Sequence, residues 1–241
     1  MTRRSRGGWA RARPLNDEEL ARRGLNAAAQ LARDDPLWPG QLAILVALVL
    51  YLVLPPKLTL GPNWLVPVAE GVLFAGLVIA APMRGYSPSR RRALALVLLS
   101  LVTIANLVAL GLLTHYLIIG GRARGADLIN GGVVIWGTNL LLFTVWYWEL
   151  DRGGPVRTNH ERKTVAPDFL FPQMSDERYA EPGWKPGFVD YLYVSLTNQS
   201  AFSPTDTMPL TYRAKLLMGV QGVAALVTVG IIVARAVNIL A

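Results

Sequence analysis

Cysteine is absent from this 241-residue chain, and histidine occurs only twice. The first absence excludes disulfides, thiol catalysis and cysteine-ligated zinc or iron–sulfur centres. The two histidines, His115 and His160, form no i, i+4 pair, so the helical zinc-hydrolase pattern is missing as well. There is no phosphate-binding glycine loop of the Walker type, no nucleophile elbow and no nucleic-acid motif. "DRGGP" (151–155) has two glycines but no strand-turn-helix context. Glu149, Asp151, His160, Glu161 and Asp168 follow no metal-ligand spacing. These absences predict a protein that is not an enzyme and carries no cofactor, no metal and no catalytic residues.

What is present is apolar sequence in long runs. Just over half of the residues are hydrophobic, and they are clumped. Five runs stand out: 41–60, 64–83, 93–120, 131–149 and 214–240. A helix rises 1.5 Å per residue, so about 20 residues cross the ~30 Å hydrocarbon layer. Runs two to five reach that length. Run one reaches it only with Lys57 at the interface, because Pro55 and Pro56 cut it short. Between runs four and five lie a polar loop, 150–187, and a short apolar segment, 187–202. That segment is too short to span and fits a re-entrant or interfacial helix.

The predicted fold is therefore all-α: a polytopic membrane helix bundle with about five transmembrane helices and one short re-entrant or interfacial helix. Residues 1–40 form a basic tail, with a short amphipathic helix over 16–35 that Asn16 caps and Glu19 completes. Four transmembrane helices occupy 41–149, the polar loop 150–187, and a pore-like helix, polar bend and last span 188–241. The tail has no cleavable signal-peptide pattern.

Basic residues outnumber acidic ones, 24 against 16, for a net charge of +8. They gather beside the spans. The tail holds Arg3, Arg4, Arg6, Arg11, Arg13, Arg22, Arg23 and Arg33, and the loop after run two holds Arg84, Arg90, Arg91 and Arg92. The opposite flank has Lys57, Arg122 and Arg124. Such asymmetry predicts a cytoplasmic N-terminus in a plasma membrane, with five crossings putting the 150–187 loop inside and the C-terminus outside. The tail suits anionic lipid headgroups. Trp64 and the Trp146-Tyr147-Trp148 run fit interfacial aromatic belts.

The stretch "SLTNQSAFSPTDTMPLTYRAKLLMGVQ" (195–221) carries a resemblance. A short helix, a polar bend, Asp206, Pro209 and a long apolar helix together resemble a potassium-channel pore region. Where that family has T-V-G-Y-G-D-x-x-P, this chain reads Ala201-Phe202-Ser203-Pro204-Thr205-Asp206-Thr207-Met208-Pro209. The filter is degenerate. Ser203 and Thr205 replace glycines whose dihedrals aim carbonyls at the ion, and Pro204 fixes its own φ and restricts Ser203. A potassium-type carbonyl ladder is not expected, but Thr197, Asn198, Ser200, Ser203, Thr205 and Asp206 are candidates to line a polar path. The alternative is a helix hairpin whose polar side chains cap backbone. The charge count enters this hairpin from inside, whereas channel pore loops enter from outside. With "WELDRGGP" (148–155), "PDFLFPQM" (167–174) and "ARAVNIL" (234–240), the chain from run two onward also resembles uncharacterised multi-span bacterial membrane proteins, actinobacterial in character, of domain-of-unknown-function families. That resemblance implies a plasma membrane and no activity.

Glu70 lies six residues past Trp64, about 9 Å into the bilayer. A carboxylate at that depth needs a partner, water or a proton. Connectivity gathers Glu70, His115, Asn130, Arg235 and Asn238 on one face, a candidate intramembrane polar cluster with Glu70–Arg235 or Glu70–His115 pairing. Asn106 and Asn139, mid-span, suit hydrogen bonds between helices. The sequence thus suggests a channel- or transporter-like membrane protein without a potassium filter, in a homo-oligomer or with a membrane-protein partner. A non-conducting scaffold or accessory subunit is the alternative.

Overall fold

The computed structural model describes residues 38–55, 58–59, 68, 71–72, 75, 88–119, 125–155, 165–180, 184–200 and 206–240. Residues 37–241 form one compact unit. The predicted tail helix, Glu70, Ser203 and Thr205 lie outside the described residues, as does nearly all of run two.

Six α-helices are described: α1 (Trp38–Val53), α2 (Pro88–Ile119), α3 (Gly125–Leu150), α4 (Pro172–Ser175), α5 (Phe188–Gln199) and α6 (Tyr212–Leu240). Two short strands, β1 (Phe169–Leu170) and β2 (Met208–Pro209), pair antiparallel, with Phe169 opposite Pro209. Three helices are long and apolar enough to cross a membrane: Arg92–Ile118, Asp127–Gly153 and Tyr212–Val237. At 16 residues, α1 is about 24 Å long, short of the hydrocarbon thickness, and it ends just before the Pro55-Pro56 pair. The α2 helix starts at Pro88, a residue preset for a first helical turn, and so carries three arginines in its first turns.

At the centre stands α3, packed against α1, α2, α5 and α6. Over half of its span is buried, against a third for α2 and α6. Its small residues let neighbours approach. A Cβ on Gly40 of α1 would clash with the Trp148 ring, and one on Gly132 would sit 2.7 Å from Ile232. These contacts set direction. Gly40 lies by Trp148, and Leu58, beyond the end of α1, reaches Gly131, so α1 runs antiparallel to α3. Arg92 meets Glu149 while Leu113 sits near Gly131, so α2 is antiparallel to α3 as well. Both α1 and α2 therefore begin at the end where α3 finishes, called here the cap end.

Three apolar clusters hold the bundle. Leu98, Leu99, Val102, Leu142 and Val145 pack with Ala43, Ala47 and Leu48 of α1. Ala109, Leu110, Leu113 and Ile135 meet Ala224 and Ile231 of α6 farther from the cap. At the cap, Phe143, Tyr147 and Trp148 pack with Phe169, Phe171, Tyr191 and Ala214. Outward positions stay apolar: Leu101 and Ile104 on α2, and Val223, Leu226, Val233 and Val237 on α6 are exposed. Such long apolar faces suit lipid and not water.

Candidate functional site

Where the sequence suggests a loose polar loop over 150–187, its described part folds onto the start of α6. The α3 helix ends in a 3-10 turn, Asp151–Gly153, with Arg152, Gly153 and Gly154 all at positive φ. At Gly154 (φ 92°) a Cβ would lie 2.9 Å from a Glu149 carboxylate oxygen and 3.2 Å from the Glu149 carbonyl, so only glycine fits without strain. The turn aims Asp151 inward. Its carboxylate accepts from the Tyr191 hydroxyl (2.6 Å) and from the Asp168 backbone N–H (2.6 Å). The fully buried Asp168 carboxylate accepts from Arg213 Nε (2.7 Å), Arg213 Nη2 (2.8 Å) and the Thr211 hydroxyl (2.6 Å). The Leu210 N–H donates to the Asp168 carbonyl (2.8 Å). One chain of charge and hydrogen bonds thus ties the end of α3, the strand β1, the first turn of α5 and the start of α6. Around it, Tyr147–Phe169 (5.1 Å), Phe171–Tyr191 (5.4 Å) and Trp148–Phe188 (5.4 Å) ring contacts exclude water. On the surface of the cap, hydrogen bonds from Arg178 hold the Asp176 carboxyl below its ordinary pKa.

From this cap α5 runs into the bundle along α3. Phe188 lies on Trp148 and Tyr191 reaches Asp151, while the Ser195 hydroxyl donates to the Leu140 carbonyl (2.9 Å) and Gln199 Nε2 to the Trp136 carbonyl (2.6 Å). The helix is therefore antiparallel to α3. So is α6, whose Ala214 and Gln221 sit beside Tyr147 and whose Ile232 sits beside Gly132. Two helices antiparallel to a third are parallel to each other. Ser200 thus lies about 18 Å inside, and Leu210, ten residues on, lies at the cap. Ten residues suffice, since extended chain covers up to ~3.3 Å per residue.

A polar spine pins the deep end of α5. Gln221 is its node. Its Oε1 accepts from the Tyr147 hydroxyl in a short bond and from Asn198 Nδ2 (2.9 Å). Its Nε2 donates to Ser195 Oγ (2.7 Å), the Ser195 carbonyl (3.1 Å) and Gln199 Oε1 (3.1 Å). Gln199 Oε1 also accepts from Asn139 Nδ2 (3.2 Å). Asn198 Nδ2 further donates to the Met218 carbonyl (3.0 Å). Beyond this spine, the oxygens Asn139 Oδ1, Thr138 Oγ1 and Asn106 Oδ1 are buried without a protein partner.

The sequence candidates distribute as follows. Asn198 belongs to the spine. Thr197 and Ser200 turn their hydroxyls onto carbonyls of their own helix, Tyr193 (2.9 Å) and Leu196 (2.6 Å). Asp206 is exposed. His115 and Arg235 lie toward the end opposite the cap. His115 is exposed with its ring edge-on to Tyr116, and the half-buried Arg235 has a buried Nε without a partner. No hydrogen bond joins the two among the described residues. Asn238 sits in the last turn of α6, and its side chain is outside the description, as is Glu70. Asn139 bonds across helices, as its mid-span position suggests; the Asn106 oxygen does not.

Sequence reasoning missed Gln221, Gln199, Ser195 and Arg213, and it placed Tyr147 in an interfacial aromatic belt, whereas the ring is fully buried among Phe143, Phe169 and Tyr191. A signal existed for Gln221, an amide in the body of the last apolar run, as Asn106 and Asn139 are in the two runs before it. Among the described residues no group of three His, Asp or Glu is placed to hold a metal. Comparison with family models, curated proteins and solved structures finds no match.

Proposed function

We propose that this chain is a multi-pass protein of a bacterial plasma membrane in which residues 188–211 form a re-entrant, pore-loop-type hairpin, and that several copies set these hairpins around a shared polar path. Three apolar helices support the membrane location. The single observation that carries the hairpin reading is the parallel course of α5 and α6, which brings the chain back to the cap end before α6 begins. Both α1 and α2 begin at the cap end, and run 64–83 has the length and composition for a further crossing between them. Five crossings follow on this reading. The arginines of 84–92 then belong to the cap end, which makes that end cytoplasmic.

The path runs between copies and not through one protomer. Each protomer's interior is filled by the Gln221 spine, whose donors and acceptors largely satisfy one another, and by aromatic rings. Ser203-Pro204-Thr205 lacks the glycines that a carbonyl ladder needs, so selectivity of the potassium type is not part of the proposal. Asp206, exposed on the return strand, is the charge offered to the path. Reconstituted vesicles test this directly. Cation flux is expected from the wild type, with Asp206→Asn lowering it at unchanged protein incorporation. Tight vesicles from a correctly folded oligomer would end the conducting reading.

One observation favours a second reading, a non-conducting scaffold. The outward face of α5 is apolar, with Val189, Tyr193 and Leu196 exposed. That face suits a protein partner as well as lipid. A partner that co-purifies stoichiometrically, together with flux-free vesicles, is the result expected on that reading.

A further inference from the structure

The α2 and α6 helices pack together, and Leu110, Leu113, Ala224 and Ile231 share one apolar cluster. Between them lies a groove of about 490 Å³. Leu107 and Leu110 form one wall, and Leu216, Gly219, Val220, Val223, Ala224 and Val227 form the other. Its lining is almost wholly apolar, with one exception at the cap-side mouth, Lys215. Lys215 is exposed and has no ion pair among the described residues. From Lys215 to Val227 the helix rises about 18 Å, a little more than one leaflet of a ~30 Å hydrocarbon layer. Gly219 leaves the wall open, since a Cβ there would meet nothing within 4 Å.

We infer that this groove holds one acyl chain of an anionic phospholipid from the cap-side leaflet, with Lys215 against its phosphate. The geometry selects this occupant. A groove one leaflet deep, closed at mid-bilayer and carrying a single cation at headgroup level, matches a lipid in polarity, depth and charge. A transmembrane helix from a second copy would continue past mid-bilayer, where α2 and α6 are already in contact. The inference rests on the membrane reading but not on conduction.

The test uses the full chain purified in mild detergent and offered equal phosphatidylglycerol and phosphatidylcholine, with bound lipid counted by native mass spectrometry. The wild type is expected to retain phosphatidylglycerol in preference. Lys215→Gln lowers that retention about fivefold, the worth of one lysine at an anionic surface. Gly219→Leu fills the open wall and removes retention of both lipids. Gly230→Leu, at an exposed position outside the groove where a Cβ also meets nothing, leaves retention unchanged. Val220→Trp fills the groove from an exposed position and reads the same way if Gly219→Leu does not give monodisperse protein. Equal retention by wild type, Lys215→Gln and the filled variants overturns the proposal and assigns the groove to protein, either a second copy or the 64–83 run. A chain that stays in solution without detergent sinks the membrane reading itself, a different outcome from unchanged lipid binding.

Discussion

Gln221 and Thr138 are both fully buried polar residues on spanning helices, yet they have opposite expected effects. Gln221 uses its amide oxygen and nitrogen on four residues from α3 and α5. Hydrogen bonds between helices in a membrane are worth ~0.6 kcal/mol on average and up to ~1.7. Losing several at one node and stranding their partners should cost Gln221→Leu about 2–4 kcal/mol. Thr138 has a buried hydroxyl with no partner. Thr138→Val keeps the shape and removes the unmet group, so it should be neutral or stabilising by about 1 kcal/mol. Unfolding midpoints in detergent separate the two, and equal losses would contradict the assignment of Gln221 as the node. The cap pair makes a similar contrast. Arg213→Ala leaves the Asp168 carboxylate buried and unpaired, at a cost of about 2 kcal/mol or more. Asp168→Asn removes the buried charge and leaves the half-exposed Arg213 free to find water, so its melting temperature should fall less. The reverse order would mean that Asp168 is not held by Arg213.

The decisive feature among the elements is the course of α5. It is a 12-residue helix with aromatic and amide side chains, too short to span and too apolar for a surface loop. Length alone leaves it re-entrant or interfacial. Its anchors decide where it goes: Tyr191 at the cap and Gln199 near Trp136. The absence of native thiols makes the path measurable. Single cysteines at Val189 and Tyr212, both highly exposed, should label with an impermeant maleimide from one side of the membrane. A cysteine at Asp127, at the start of α3, should label only from the other side. Common sidedness of Tyr212 and Asp127 would mean that α6 and α3 are not antiparallel. The turn after α3 has its own check. Gly154→Ala forces a side chain into a left-handed backbone beside Glu149 and should lower stability by about 1–3 kcal/mol, read as a fall in melting temperature.

For the whole molecule, the outward faces of α2 and α6 determine behaviour in solution. Exposed Leu, Ile and Val along both helices predict a protein that stays in the membrane pellet through alkaline carbonate and comes out only with detergent. Release by carbonate alone would show those faces to be covered by protein.

The sequence by itself determined the apolar helices and where they break. Long runs of Leu, Val and Ile are read locally, and the helix interruptions follow from prolines such as Pro55. It also marked Asn139 as a residue for bonding between helices, because an amide inside an apolar run has few other uses. Tertiary structure decided what the polar loop and the short helix do. Asp151, Asp168, Tyr191 and Arg213 are separated by up to 62 positions, and nothing in their local spacing says that a Gly-Gly turn and a two-residue strand will join them. The same holds for Gln221 and its partners on α3 and α5. Hydrophobicity and backbone stiffness act between near neighbours and can be read along the chain, whereas hydrogen-bond partnership depends on where distant segments arrive once the bundle has closed.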